Sequence, residues 1–433
     1  MRPRSKRVLL LLLSTTTLTL AAENLDDLLG GFEEENARSY APTSSQNSGL
    51  TGSVSQEIAL SPWNEPPHHG LASIKSALFL DYEHKFDNGF KFKTNAKAYH
   101  DFIYSLRGHT HYTDQEREEL EREAELFDAY IEGSLRDDLD IKVGRQVVVW
   151  GRSDTVRITD ILNPLDNRRP GMVDIEDLRL PTTMAKLDYF VGDWRITPIA
   201  ILEQRFSKLP PFGGDFNPSP TPLPKEKSYD DITPALSIGG EFSDWDINLY
   251  AARTHHDTGY LDNGYRHDKA TMVGTAINLL SGSWLFKSEV AHFDGLRYTA
   301  LPDQEIKRTD MLLGTEYNGI ADTQLSYDVA LRAIHNYHEA LSSDPLNPSA
   351  ERSYQHAFRA SSEFVNATFK ANYLISLFGS RFDQGGFQRL WFTYDINNAM
   401  NATVGIVDYI GGSQRFDAID NNDQIFAEIS YNF

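Results

Sequence analysis

The chain has 433 residues, 62 acidic against 41 basic side chains, a net charge of −21 and no cysteine. That balance argues against nucleic acid as a partner, and the missing cysteines exclude a disulfide framework, c-type haem attachment and thiolate metal sites. Aromatic residues make up 12% of the chain, which favours a barrel with aromatic girdles over an ordinary soluble domain.

Residues 1–22 read as a secretory signal peptide: the basic MRPRSKR, the short apolar VLLLLLSTTTLTL, then Ala21-Ala22. The apolar run is too short to span a bilayer. Its removal takes away Arg2, Arg4, Lys6 and Arg7 and leaves the mature chain four charges more acidic. Residues 23–49 follow as an acidic N-terminal periplasmic segment and a linker rich in Ser, Thr, Asn, Gln and Gly.

From Leu50 to Phe433 the dominant period is two, the period of a strand. Thr323, Leu325, Tyr327, Val329, Leu331 and Ala333 alternate with Gln324, Ser326, Asp328, Ala330 and Arg332, and Phe286 and Val290 lie opposite Lys287 and Glu289. The predicted strands are 50–60, 72–86, 90–104, 125–136, 138–150, 182–190, 194–204, 232–242, 244–255, 268–280, 282–293, 309–318, 322–336, 353–363, 366–380, 386–397, 400–410 and 423–433. That is eighteen, or sixteen without 50–60 and 353–363. An array this long is too many strands for one sandwich. Tight turns such as Asp87-Asn88-Gly89 and Gly192-Asp193 alternate with long polar loops near 105–123, 151–181, 205–231, 256–267, 294–308, 337–352 and 411–422. Short periplasmic turns and long external loops are the outer-membrane pattern. The fold expected is all-β: a transmembrane antiparallel barrel with its apolar face on lipid and its polar face on a wet lumen.

The last strand, DQIFAEISYNF, puts Ile429, Tyr431 and Phe433 on one face. A terminal Phe with apolar residues at every second place before it resembles the signal read by the barrel-assembly machinery. Lys91, Lys93 and Lys97 fall on one inward face as a basic stripe. A stripe of this kind either draws anions or is a solvated lumen face neutralised by nearby acids.

One loop stands apart. Gly151–Pro181 carries Arg152, Asp154, Arg157, Asp160, Asp166, Arg168, Arg169, Asp174, Glu176, Asp177 and Arg179 among apolar anchors such as Val156, Ile158 and Leu162. It either caps the mouth or folds inward as a constriction bearing both signs of charge, the arrangement by which pores select solutes. The same pairs could equally serve just to hold the loop's shape. Gln115–Leu126 reads as a short charged helix at a loop tip, and Pro210–Lys227 as an extended proline-rich run. His68-His69, His109 with His111, and His255-His256 with His267 read as surface histidines rather than metal ligands. Ser288 and His292 lie four apart on a strand, about 13 Å, too far for a catalytic hydrogen bond. No phosphate-binding, dinucleotide or zinc-protease motif is present, so no catalytic residue, cofactor or metal is assigned.

The stretch VGRQVVVWGRSD, with DILNPLD and DIEDLRLP after it, resembles the signature of the domain-of-unknown-function 1302 family of Gram-negative outer-membrane proteins. The resemblance takes in Leu25–Phe32 and Tyr99–Tyr104, and departs at Arg152, where members usually carry an acidic residue. Some members are encoded beside inner-membrane exporters of the resistance-nodulation-division type. The resemblance therefore implies an outlet for lipophilic cargo, with Leu25–Glu35 as a docking peptide for an exporter's periplasmic partner. The expected function is an outer-membrane channel or exporter outlet narrowed by the 151–181 loop. The alternatives are a plugged barrel acting as a structural or partner-binding platform and, third, an outer-membrane hydrolase.

Overall fold

The computed structural model describes residues 48–433. The signal peptide 1–22 and the docking segment Leu25–Glu35 lie outside the described residues. Among the described residues there are twenty strands: β1 Ser48–Ser61, β2 Gly70–Lys85, β3 Lys91–Asp101, β4 Arg122–Arg136, β5 Leu139–Gln146, β6 Thr182–Val191, β7 Trp194–Ile201, β8 Thr233–Glu241, β9 Trp245–His255, β10 Tyr260–Leu261, β11 Tyr265–Arg266, β12 Lys269–Ser281, β13 Trp284–Tyr298, β14 Leu301–Ile320, β15 Thr323–His335, β16 Arg352–Phe364, β17 Phe369–Phe378, β18 Gly386–Asn397, β19 Met400–Ile410 and β20 Gln424–Asn432. Strands β10 and β11 form a small external hairpin. The other eighteen make one antiparallel sheet.

That sheet closes on itself. β20 pairs with β1 from Ser53↔Asn432 to Leu60↔Ile425, and Gly52 and Phe433 exchange both backbone hydrogen bonds at 2.9 Å. Closure leaves no strand edge unpaired, the condition for crossing hydrocarbon with strands. The period-two pattern sorts side chains between the two faces. Leu50, Val54, Ile58, Val143, Leu249, Val273, Met311, Leu313, Val404 and Ile429 are exposed on the outside, whereas Glu289, Lys287 and Asp328 between such positions are only 1 to 3% exposed. Trp194, Trp245, Trp284, Tyr394, Tyr431 and Phe433 cluster toward the short-turn end as an aromatic girdle. A closed barrel with such a belt belongs in the outer membrane.

The eighteen predicted strands are all present, with corrected ends. Ser48 and Gly49, read as linker, begin β1. The long loop expected at 294–308 is instead wall, because β13 and β14 continue to a two-residue turn at Thr299-Ala300. The helix expected over Gln115–Leu126 is Asp114–Leu120, capped by Thr113 Oγ1 on the Glu116 N–H at 3.1 Å, and from Arg122 the chain is already strand β4. Strand 90–104 stops at Asp101 because residues 103–107 turn helical, and 138–150 stops at Gln146, where the chain leaves the wall. His267, read as a surface residue, is buried and stacked on Phe206 at 3.6 Å.

Candidate functional site: the segment inside the barrel

Past Gln146 the chain turns inward. Asn163 Oδ1 accepts from the Val148 N–H at 2.7 Å, and Trp150 stacks on Tyr250 of β9 at 4.6 Å. Gly151 then takes φ +90°, and a Cβ there would stand 2.8 Å from Glu289 Oε2 and 3.0 Å from Thr159 Oγ1. Only glycine allows that approach at that dihedral. Glu289, inward on β13, accepts from the backbone N–H groups of Arg152 at 2.6 Å, Ser153 at 3.0 Å and Thr159 at 3.2 Å, and from the Thr159 hydroxyl at 2.8 Å.

A row across the wall receives the next residues. Asp246, Asn278, Lys287, Gly314 and Asp328 stand side by side on β9, β12, β13, β14 and β15. Arg152 pairs with Asp246, Asp154 with Lys287 at 3.2 Å, and Asp328 accepts from Ser153 and Thr155 hydroxyls at 2.6 Å each. The missing side chain at Gly314 leaves room for its neighbours, since a Cβ would meet Asp328 Oδ1 at 2.2 Å. Because Asp246, Lys287, Glu289 and Asp328 are inward-facing side chains of the wall, the Gly151–Pro181 segment enters the barrel on them.

Apolar residues fix it there. Val156, Ile158 and Leu162 pack with Met184, Ile199, Ile201, Tyr250, Met272 and Leu312 and with inward alanines Ala252, Ala276, Ala291, Ala330 and Ala357. The expectation of a polar, wet inner face therefore fails on this side of the barrel. Small and apolar inward residues exchange water for the segment, which completes a core.

The charged residues of the segment divide four ways. Arg152 and Asp154 tie it to the wall, as above. Arg157, Asp160 and Arg179 build its interior, with Arg179 Nε on Asp160 Oδ2 at 2.9 Å and Arg157 Nη2 donating to Asn163 O at 2.7 Å. Glu176 lies in the short helix Ile175–Leu178, where burial and then the charge of Asp154 raise its carboxyl above the ordinary range. Asp166, Arg168, Arg169, Asp174 and Asp177 line a remaining opening. Burial works to raise the Asp166 carboxyl, but Arg168, 2.8 Å away through Nε, outweighs it and holds it low. Arg168 also reaches Glu123 of β4 at 2.6 Å.

The opening, about 580 Å³, lies between this segment and the inner faces of β1–β3 and β18–β20. Its walls mix paired charges with grease. Lys75 pairs with Glu57 at 3.0 Å, and Trp391 and Phe426 face Met172, Val173 and Leu178. Of the lysine stripe, Lys97 lines the opening and sits 3.9 Å above the Phe127 ring, while Lys91 pairs with Glu132 at 2.5 Å and Lys93 with Asp81 at 3.6 Å. Arg389 and Arg359 hold Asp174, and the Tyr409 hydroxyl holds Pro170 O at 2.5 Å. Ile429, Tyr431 and Phe433 stand on the outer face of the closing strand. Glu289, Asp328, Arg359, Arg389, Trp391 and Phe426 belong to the site although no motif marks them. Their one sequence signal is a position on the inward phase of a strand.

Solved structures share the architecture. Pseudomonas aeruginosa OpdK with vanillate matches with a TM-score of 0.54 at 8% identity, over 89% of this chain and 98% of that one. A BenF-like porin from Pseudomonas fluorescens Pf-5 gives 0.54 at 11%, covering 89% and 98%. Acinetobacter baumannii OccAB3 gives 0.53 at 10%, covering 89% and 99%. No curated protein matches in sequence. The profile of the family described as "Protein of unknown function (DUF1302)" matches residues 69–433, from the first external turn through the closing strand, and the chain belongs to that family.

Proposed function

We propose that the protein is a passive outer-membrane channel whose passage is the opening left between the Gly151–Pro181 segment and the strands β1–β3 and β18–β20. The observation that carries this is that opening itself: the segment seats on the β6–β16 side and leaves about 580 Å³ unfilled against the other wall. A wall of sixteen or more strands encloses a water-filled channel unless something occupies it, so the segment sets the width. The likeness to OpdK, to the BenF-like porin and to OccAB3 supports the reading. The amphipathic lining suits small solutes with an apolar part, or lipophilic cargo leaving the cell.

Planar-bilayer recording of the refolded chain tests it. A steady conductance is expected, rising several-fold when 155–178 is replaced by a short Gly/Ser linker. The dense bonding of the segment to the wall favours one other reading, a plugged barrel serving as a binding platform. Absence of current in both forms would establish that reading and sink the channel.

A further inference from the structure

Arg359 of β16 and Arg389 of β18 both point inward and share one carboxylate. Asp174 Oδ2 lies 3.1 Å from Arg359 Nη2, and its Oδ1 accepts from Arg389 Nη2. The Arg389 side chain is only 5% exposed. Even so, Arg359 Nε, Arg389 Nε and Arg389 Nη1 are buried with no acceptor. Asp177, on the same segment and facing the same opening, leaves these three nitrogens unmatched. Buried guanidinium donors normally find partners, and a planar fork is satisfied best by a carboxylate taken bidentate. Two guanidiniums on one acidic side chain are thus short of acceptors.

The surroundings say what else fits. The Arg389 guanidinium carbon sits 3.7 Å from the centroid of the Trp391 ring. Trp391 and Phe426 line the same opening, with Met172, Val173 and Leu178 contributed by the segment beside Asp174. A carboxylate placed on the arginines would therefore carry its hydrocarbon part against aromatic and aliphatic surface. A neutral amide gains less from the guanidiniums, and an ammonium is repelled by them.

We propose that the Arg359–Arg389 pair is a carboxylate subsite of the passage, occupied at rest by the protein's own Asp174, and that a monocarboxylate with an apolar body exchanges with Asp174 there. This rests on the channel reading. Exchange frees Asp174 from the wall at the point where the helix Ile175–Leu178 begins, so the solute itself loosens the part of the segment that narrows its path. Asp174 acts as an internal competitor at high effective concentration, and removing its charge strengthens solute binding.

Single-channel recording of the full chain in planar bilayers tests this, with benzoate, benzamide and benzylammonium as probes at equal concentration. Benzoate is expected to interrupt the current with dwell times about tenfold longer than the other two, Arg389→Gln to erase that difference, and Asp174→Asn to lengthen the benzoate dwell about tenfold. Equal dwell times for the three probes on an open wild-type channel would overturn the subsite and leave the channel reading standing. A shorter benzoate dwell in a folded Asp174→Asn barrel would do the same. Wild-type protein that folds but carries no current would remove the channel and the subsite together. The wild-type comparison decides the matter even if a variant fails to fold.

Discussion

Glu289 Oε1 stands 2.6 Å from the Arg152 amide nitrogen, and one carboxylate on the wall thereby receives the chain at the point where it enters the lumen. Glu289 is 1% exposed, so its bonds to Arg152, Ser153 and Thr159 form in a site from which water is shut out. Replacing it with alanine strands several buried N–H groups. A buried donor left without its acceptor costs about 1–3 kcal/mol. Glu289→Ala is expected to release the Gly151–Pro181 segment, raise conductance and open the segment to protease while the barrel still shows its heat-modifiable gel shift. Unchanged conductance and protease resistance would refute the anchor.

Gly151→Ala attacks the same point sterically. At φ +90° a methyl group would meet Glu289 Oε2 at 2.8 Å. Strained backbone of this kind costs about 1–3 kcal/mol before the displaced carboxylate is counted. The variant is expected to resemble Glu289→Ala in protease sensitivity, and a wild-type digestion pattern would contradict the close approach.

Arg152 of the segment pairs with Asp246 of β9. Arg152→Glu sets two carboxylates together and is expected to lower the temperature of the gel shift, and adding Asp246→Arg is expected to restore much of the loss. The coupling in such a cycle falls in the range of about 0.5–3 kcal/mol for residues in contact. Purely additive effects would show that the pair carries nothing.

Outside the wall, Glu226 and His267 make the external loops sensitive to pH with opposite signs. Burial, and then the charge of Asp257, push the Glu226 carboxyl from an ordinary 4.5 up to about 7. The folded loop then holds more protons than the unfolded one between those values, so its docking weakens as pH rises through about 7. Burial holds His267 below its ordinary 6.5, which weakens the fold as pH falls below that value. Proteolysis between residues 205 and 231 is expected to speed up from pH 6 to pH 8, roughly the span of the Glu226 titration. In Glu226→Gln the neutral-side change is expected to vanish and only the acid-side loosening to remain. A wild-type loop indifferent to pH across this span would contradict the raised Glu226 carboxyl.

Val273 is 51% exposed on the outer face of β12, whereas Val365 is 76% exposed in a short turn. Val273→Arg is expected to cost about 2–4 kcal/mol on folding into bilayers, the range for a basic residue in a barrel's lipid belt. Val365→Arg is expected to change little. Similar folding yields for both would mean that the outer face of β12 does not meet hydrocarbon.

The wall could be read from the sequence because alternation is a local property. A residue two places from another on a strand shares its face whatever surrounds the sheet, so the placing of Phe286 and Lys287 on opposite faces follows from spacing alone. The family resemblance was legible in the same way, from contiguous residues around Trp150-Gly151. The number of strands and the closing strand with its terminal Phe433 were also written in the chain.

What the eleven charges of the segment do was decided only in three dimensions. Asp154 meets Lys287 and Asp174 meets Arg359 and Arg389 across 133, 185 and 215 residues of sequence, distances over which no period carries information. The inward alanines at 252, 276, 291, 330 and 357 look unremarkable one at a time and become a seat only when five strands bring them together. Hydrophobic phase fixes which way a side chain points, but closure of the sheet fixes which other side chain it then faces.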